Sequence, residues 1–222
     1  MKIFTYFTYK EGGWAANCHL VIDEASGEAA IFDCSVSAEK IKSKLGGFGD
    51  HLRLKYMVLT HGHFDHMLKL DELRNTFPEA VLCIHADDAE CLSDSDKSYF
   101  RHFAGEDRTF KSADMLLSDG DTLNLGDEKM TILHTPGHTR GSVCIMVESN
   151  IITGDTLFDG GIGRCDLYGG DMDELRRSLN KIVSFAAAEI GGECKLYPGH
   201  GGTGRLYKEI ETNPFIKKQD KK

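Results

Sequence analysis

The chain has no C-x-x-C pair, no long apolar run and a deficit of positive charge. Its seven cysteines, at 18, 34, 83, 91, 144, 165 and 194, are odd in number and scattered. That spacing argues against a thiolate zinc knot or a disulfide framework and points to reduced thiols in a cytosol. No apolar stretch approaches the roughly 20 residues that span a bilayer. Lys2 is followed only by a short Ile3–Phe7 run, so no signal peptide is read. Lys and Arg number 26 against 35 Asp and Glu, and the net charge of -9 at pH 7 counts against a general affinity for nucleic acid or anionic membrane. The one basic cluster, Lys217-Lys218-Gln219-Asp220-Lys221-Lys222, reads as a solvated terminus. The expectation is a soluble cytoplasmic protein with neither a nucleic-acid nor a membrane partner; the sequence does not set its oligomeric state.

What is present is an ordinary globular composition, 41% hydrophobic and 27% charged over 222 residues. That is enough for one domain, spanning 1-222, with a real core. Thr60-His61-Gly62-His63-Phe64-Asp65-His66 stands out within it. Tyr56-Met57-Val58-Leu59-Thr60 reads as a buried strand leading into it, and Leu68, Leu70, Leu73 and Phe77 behind it are spaced as on a helix face. The motif therefore sits on a loop at a strand end, where α/β sheets place their chemistry. Three imidazoles and a carboxylate this close cannot all face a core without hydrogen bonds or a cation. A metal site is the reading.

Along the rest of the chain, Ile3 to Tyr9 predicts a strand, Gly12-Gly13 a turn, and Asn17 to Ile22 with Ala29 to Phe32 a hairpin around Ser26-Gly27. Val36, Ile41 and Leu45 predict a short helix ended by Gly46-Gly47, Val81 to Ile84 a buried strand, and Ala86 to Leu92 a helix. Ser93 to Ser118 loses periodicity and predicts an irregular insertion or a pair of short helices. Its Tyr99, Phe100, Phe103 and Phe110 would pin the segment down, with the lining of a cleft as the alternative. Strand-like runs follow at Thr122-Leu125, Met130-His134, Val143-Val147 and Ile151-Ile152, then a Gly-rich loop from Asp159 to Gly170. Asp171 with Glu174 predicts a capped helix through Ala188, Cys194 to Tyr197 a last strand, and Leu206 to Glu211 a short helix.

Three further positions repeat the logic of the motif. His138, Asp155 and His200 each follow a predicted strand beside a glycine. One such residue is most simply a turn or cap residue; several strand-end loops in one chain are not. His19 and His134 fall in or beside strands and read as core or edge residues. Arg164 and Asp166 read as a bracing pair, and nothing makes Cys165 a ligand.

The set T-H-G-H-F-D-H at 60-66, T-P-G-H-T at 135-139, T-G-D-T-L-F at 153-158, G-R-C-D at 163-166 and Y-P-G-H-G at 197-201 resembles the metallo-β-lactamase superfamily, and its glyoxalase II (hydroxyacylglutathione hydrolase) branch in particular. The matches run in family order over almost the whole chain. The resemblance implies an α/β fold, the αββα sandwich, as a single domain. It implies one metal on His61, His63 and His138, a second on Asp65, His66 and His200, and Asp155 bridging both. Nitrogen and oxygen ligands without thiolate suit zinc and tolerate iron or manganese. Two divalent cations would lower the pKa of a shared water, Asp65 would orient the resulting nucleophile, and no Ser or Cys nucleophile is needed. The implied activity is hydrolysis of a small-molecule thioester, possibly glutathione-derived, with Arg140 and Lys69 as candidate partners for its carboxylates. A mononuclear-iron persulfide dioxygenase using His61, His138 and Asp155 is the alternative, followed by lactonase or phosphodiesterase chemistry on the same scaffold.

The chain also departs from the family pattern. It stops about one short helix after His200, whereas full-length glyoxalase II carries a further helical region that supplies much of its glutathione pocket. Asp33-Cys34-Ser35 stands where Asp-Pro-Gly is common, and Met67-Leu68-Lys69 where a small residue is usual. These departures bear on the substrate rather than on the metal site.

Overall fold

The structure, a computed structural model, describes residues 1–8, 15–190 and 193–217. Its central strands are short runs buried on both faces, and alternation assigns each face to a layer. In β2 (Cys18–Asp23) and β3 (Glu28–Phe32), Leu20, Ile22, Ala29 and Ile31 turn outward, while Val21, Ala30 and Phe32 turn inward. β4 (Arg53–Val58) and β5 (Val81–His85) repeat the pattern: Met57, Leu82 and Ile84 point out, Val58 and Cys83 in. With β1 (Lys2–Tyr6) at one edge and β6 (Met115–Leu117) at the other, they form a six-stranded sheet in sequence order.

The second sheet holds β7 (Thr122–Leu125), β8 (Glu128–His134), β9 (Val143–Val147), β10 (Asn150–Gly154), β13 (Lys195–Pro198) and β14 (Gly204–Arg205), in the order β14-β13-β10-β9-β8-β7. A small hairpin of β11 (Leu157–Phe158) and β12 (Gly161–Ile162) lies between β10 and the next helix. Inward residues such as Met130, Ile132, Ile145 and Ile152 meet Val21, Phe32 and Val58 of the first sheet, which closes the central layer of the sandwich.

Helices cover both outer faces. α1 (Ala38–Gly46) and α2 (Leu70–Thr76) place Ile41, Leu45, Leu70 and Leu73 on the first sheet. α3 (Met172–Ile190) places Leu179, Ile182 and Ala186 on the second, joined by Leu206 of α4 (Leu206–Thr212) and Ile216 of α5 (Pro214–Lys217). The architecture is a single-domain αββα sandwich, as the motifs implied. No helix among the described residues is long and apolar enough to cross a membrane.

Several boundaries differ from the sequence reading. The first strand ends at Tyr6, and Tyr9 with Gly12-Gly13 lies outside the described residues. Ala86–Leu92 is a 3-10 helix rather than an α-helix. The 93–118 segment contains one π turn, Phe100–Ala104, and then β6, which extends the sheet by pairing parallel with β5. Its aromatics divide between the two roles weighed for them: Phe100 and Phe110 are buried and pin the segment, while Tyr99 and Phe103 line a cavity. Asp171 caps α3 as predicted, its Oδ1 accepting from the amides of Asp173 and Glu174 at 2.8 Å each.

Candidate metal centre

Every residue of the predicted ligand set lies just beyond a strand end, at the same rim of the sandwich. His61 and His63 follow β4, and a 3-10 turn over Phe64–His66 carries Asp65 and His66. His138 sits in the β8–β9 loop, Asp155 directly after β10, and His200 after β13. The first sheet thus supplies four side chains and the second sheet three, all seven meeting at the seam. Glycines along that seam leave no room for a side chain. A Cβ on Gly199 would collide with the Asp155 carboxylate and His66, and one on Gly141 with Asp88.

His61 Nε2, His63 Nδ1 and His138 Nε2 form a triangle with edges of 3.1, 3.2 and 3.0 Å. For two of them the surroundings fix the tautomer. The Thr60 hydroxyl donates to Asp33 (3.0 Å), so at 3.2 Å it accepts from His61 Nδ1. His138 Nδ1 donates to the Arg164 carbonyl at 2.7 Å. Both Nε2 atoms therefore turn lone pairs into the triangle. Burial and neighbouring imidazoles hold His61 well below the ordinary imidazole pKa, and burial with His138 pulls His63 down to about 3. Lone pairs this close repel unless a cation lies between them. Tetrahedral zinc, with Zn–N bonds of about 2.0–2.1 Å, would set such nitrogens roughly 3.3 Å apart. The triangle fits a metal ion.

The remaining residues form a second cluster. Asp65 Oδ2 lies 3.0 Å from His200 Nε2 and 3.7 Å from His66 Nε2. Asp155 Oδ2 stands 3.7 Å from His138 Nε2 and 3.4 Å from His200 Nε2, so one carboxylate oxygen faces both clusters. His66 Nε2 and Asp155 Oδ1, 3.4 Å apart, are buried without forming a hydrogen bond; buried polar atoms left so at one place call for a ligand. Burial opposes charge on His66, but Asp33, Asp65 and Asp155 outweigh it and hold its pKa well above the ordinary value. Burial likewise opposes charge on His200, yet Asp155 and Asp65 raise it to about 9. Burial works against an ionised Asp155 too, and His66 and His200 nonetheless hold its pKa well below the ordinary carboxylate value. Without metal, this cluster balances its carboxylates with imidazolium; a divalent cation would take over that charge.

Two buried carboxylates escaped the sequence reading. Asp33, in a left-handed backbone conformation (φ 64) at the end of β3, accepts from the Thr60 amide and hydroxyl and lies 2.8 Å from His66 Nδ1. It thus orients His61 through Thr60 and faces His66 directly. Asp88 accepts from the amides of Gly62 (2.9 Å) and Gly141 (2.7 Å) and from the Thr139 hydroxyl (2.7 Å). It ties the His61–His63 loop to the His138 loop. The Asp-Cys-Ser triplet could have flagged Asp33, but no local pattern marks Asp88. Asn17 and His19 hold the His200 loop: the Asn17 side chain donates to the carbonyls of Pro198 and Gly201, and His19 Nε2 to that of Pro198, each at 3.0 Å.

The clusters form the floor of a cavity of about 420 Å³. Phe64, Tyr99, Phe103, Phe158 and Leu167 wall it, and Arg164 also lines it. The predicted bracing pair is present, with Arg164 Nε and an η nitrogen donating to Asp166 at 2.7 and 2.8 Å. Arg140 and Lys69, expected to meet substrate carboxylates, do not line the cavity. Arg140 packs 5.3 Å from the Tyr168 ring, and Lys69 lies 3.8 Å from Glu72 on the surface.

An αββα sandwich with adjoining His-rich and carboxylate-rich clusters at its sheet seam defines a class, the metal-dependent hydrolases built on the metallo-β-lactamase fold. The chain belongs to the metallo-β-lactamase superfamily, whose sequence description matches residues 12–200. Among its relatives, the "Probable metallo-hydrolase YqgX" of Bacillus subtilis is 33% identical, covering 90% of this chain and 92% of the other. "Hydroxyacylglutathione hydrolase GloC" of Haemophilus influenzae is 30% identical over the same shares. Of solved structures, the "BLEG-1 B3 metallo-beta-lactamase" superposes with a TM-score of 0.80 at 32% identity, covering 90% of this chain and 94% of the other. "TTHA1623 in a di-iron-bound form" gives 0.75 at 26%, covering 97% and 100%.

Proposed function

We propose that the protein is a binuclear metal-dependent hydrolase of activated acyl carbonyls, a thioesterase of the hydroxyacylglutathione hydrolase type. The observation that carries the binuclear part is Asp155, whose Oδ2 faces His138 on one side and His200 on the other. His61, His63 and His138 would hold one ion and Asp65, His66 and His200 the other, with Asp155 shared. The donor set of nitrogen and oxygen suits zinc first, and iron or manganese after it. Bound there, such ions would supply a water of near-neutral pKa and polarisation of a carbonyl oxygen.

The chain's own residues do the rest. Burial keeps His61 and His63 neutral, so they offer lone pairs without first losing a proton. Asp65, with 13% of its side chain exposed at the cavity floor, orients the attacking water. A thiol leaves readily as thiolate, with a reference pKa of about 8.5, so the leaving group needs no dedicated proton donor. The only charged group described in the lining besides the proposed ligands is Arg164, which does not give up its proton. That favours a thioester over an amide, and the GloC relative supports the same reading.

The test is metal content per chain followed by assay of S-lactoylglutathione. The expected result is two equivalents of metal, and loss of turnover by roughly a thousandfold in His61→Ala with His63→Ala while the far-ultraviolet circular dichroism is retained. At most one equivalent under saturating zinc, iron or manganese would overturn the binuclear reading. Oxygen uptake with a glutathione persulfide at one iron per chain would replace it by persulfide dioxygenase chemistry on His61, His138 and Asp155.

A further inference from the structure

The walls of the cavity differ in character from its floor. The Phe64 and Phe103 rings stack at 5.6 Å and 18°, and Tyr99 meets Phe103 at 5.7 Å. Tyr99 stands edge-on to His63 at 5.5 Å, and Phe158 edge-on to His200 at 6.3 Å, so aromatic rings flank both ligand clusters. These walls are held in place. The Tyr99 hydroxyl accepts from the Tyr168 amide at 2.6 Å, joining the 93–118 segment to the Gly-rich loop that carries Arg164 and Leu167. Phe158 begins a hairpin turn whose Gly160 amide donates to buried Glu209 at 2.9 Å. Against this apolar surface, and apart from the proposed ligands, stands one described lining cation, Arg164, already paired through both carboxylate oxygens of Asp166. A glutathione moiety brings two carboxylates to a protein of net charge -9, and the cations predicted to receive them, Arg140 and Lys69, are off the cavity.

We infer that the substrate carries an apolar arm, alkyl or aryl, next to the scissile carbonyl, and that Phe103 and Phe158 set this preference in place of recognition of a glutathione peptide. This rests on the acyl-hydrolase chemistry proposed above, not on its glutathione substrate, and names a different substrate class for the same site. A cavity of about 420 Å³ lies within the usual range of roughly 300–1,000 Å³ for small-molecule sites. It has room for a short chain or a single ring above the site. Burying such an arm between aromatic walls strengthens binding by about fourfold per methylene, without any charged partner. The polar groups of the floor are left to meet the carbonyl.

The experiment uses the metal-loaded protein and two series of thioesters. One lengthens the acyl group from acetyl to octanoyl on N-acetylcysteamine, and the other lengthens the thiol of an acetyl thioester. Both are compared with S-lactoylglutathione. Binding of the matching ketones, with CH₂ in place of sulfur, is measured by calorimetry so that affinity is read apart from turnover. The expected result is a rise of about fourfold per methylene in at least one series, in kcat/KM and in ketone affinity alike. In Phe103→Ala combined with Phe158→Ala the rise should fall below about twofold per methylene. S-lactoylglutathione should fall below the octanoyl ester. Flat dependence in both series, or a clear preference for S-lactoylglutathione, overturns the inference and leaves the hydrolase reading standing. Steep ketone binding without hydrolysis of any thioester would overturn the thioesterase reading, and with it the inference that the apolar arm belongs to a substrate.

Discussion

At the scale of single residues, the centre depends on carboxylates that bind no metal themselves. Asp88 receives three hydrogen bonds from the two loops that carry His61, His63 and His138. An asparagine there keeps the size but turns an NH₂ group towards donors. Asp88→Asn should weaken metal binding at the three-histidine cluster by roughly 10–100-fold. Competition with a chromogenic chelator measures this, and unchanged affinity would show that the loops hold their geometry without Asp88. Asp155→Asn tests the shared position. A neutral amide bridges two cations poorly, so this variant should lose more activity than replacement of any one histidine. Near-native turnover with both ions retained would remove Asp155 from the bridging role.

At the scale of elements, stability and chemistry are separable. Leu179, buried on α3 against the outer face of the second sheet, lies in the helical layer rather than among the ligand loops. Leu179→Ala should cost about 3 kcal/mol in urea unfolding while leaving metal stoichiometry unchanged; a change in stoichiometry would couple the outer layer to the centre. Glu28 on β3 makes a different tie. Its carboxylate, 7% exposed as a residue, accepts from the Gly126 amide and from Lys55 and Arg53 on β4. Burial opposes its ionisation, but these donors lower its pKa from 4.5 to about 2. A depressed carboxylate pKa stabilises the folded state fully above the unfolded value, and that stability is lost as pH falls through the folded one. Glu28→Gln should therefore cost about 2 kcal/mol at pH 7, with the gap from the parent closing between pH 4.5 and about 2. A gap independent of pH would assign the loss to packing.

The elements that the sequence made legible are those whose signal is local. Leu20, Ile22, Ala30 and Phe32 show two-face burial in short apolar runs, and His138, Asp155 and His200 each stand beside a turn glycine. What escaped depends on partners far along the chain. Asp88 looks like a surface charge within Ala-Asp-Asp-Ala-Glu, and only folding brings Thr139 and Gly141 to it. β6 escaped because two of its three residues are exposed on an edge strand, where no hydrophobic alternation is required. The candidacy of Arg140 and Lys69 rests on nearness in sequence to His138 and His66, yet a side chain two or three residues past a ligand can point away from it. Arg164, further off in sequence, reaches the cavity.

At the scale of the whole molecule, the centre fastens one sheet to the other. Ions held by ligands from both sheets bind the folded state and not the unfolded chain, so they add stability by mass action. Chelation should lower the melting temperature by roughly 5–15 °C, the shift expected for a loss of about 3–4 kcal/mol in a chain of this size. An unchanged melting temperature after verified metal removal would mean that the central apolar layer alone sets the stability. The same arrangement carries a consequence in time. Synthesis runs from the N-terminus, and the first sheet is complete once residue 117 has emerged. From then until β8, β10 and β13 bring His138, Asp155 and His200, His61, His63 and His66 sit at a rim whose opposite half is incomplete. Full metal loading should thereby be a late event, reserved for a chain that has brought β13 home.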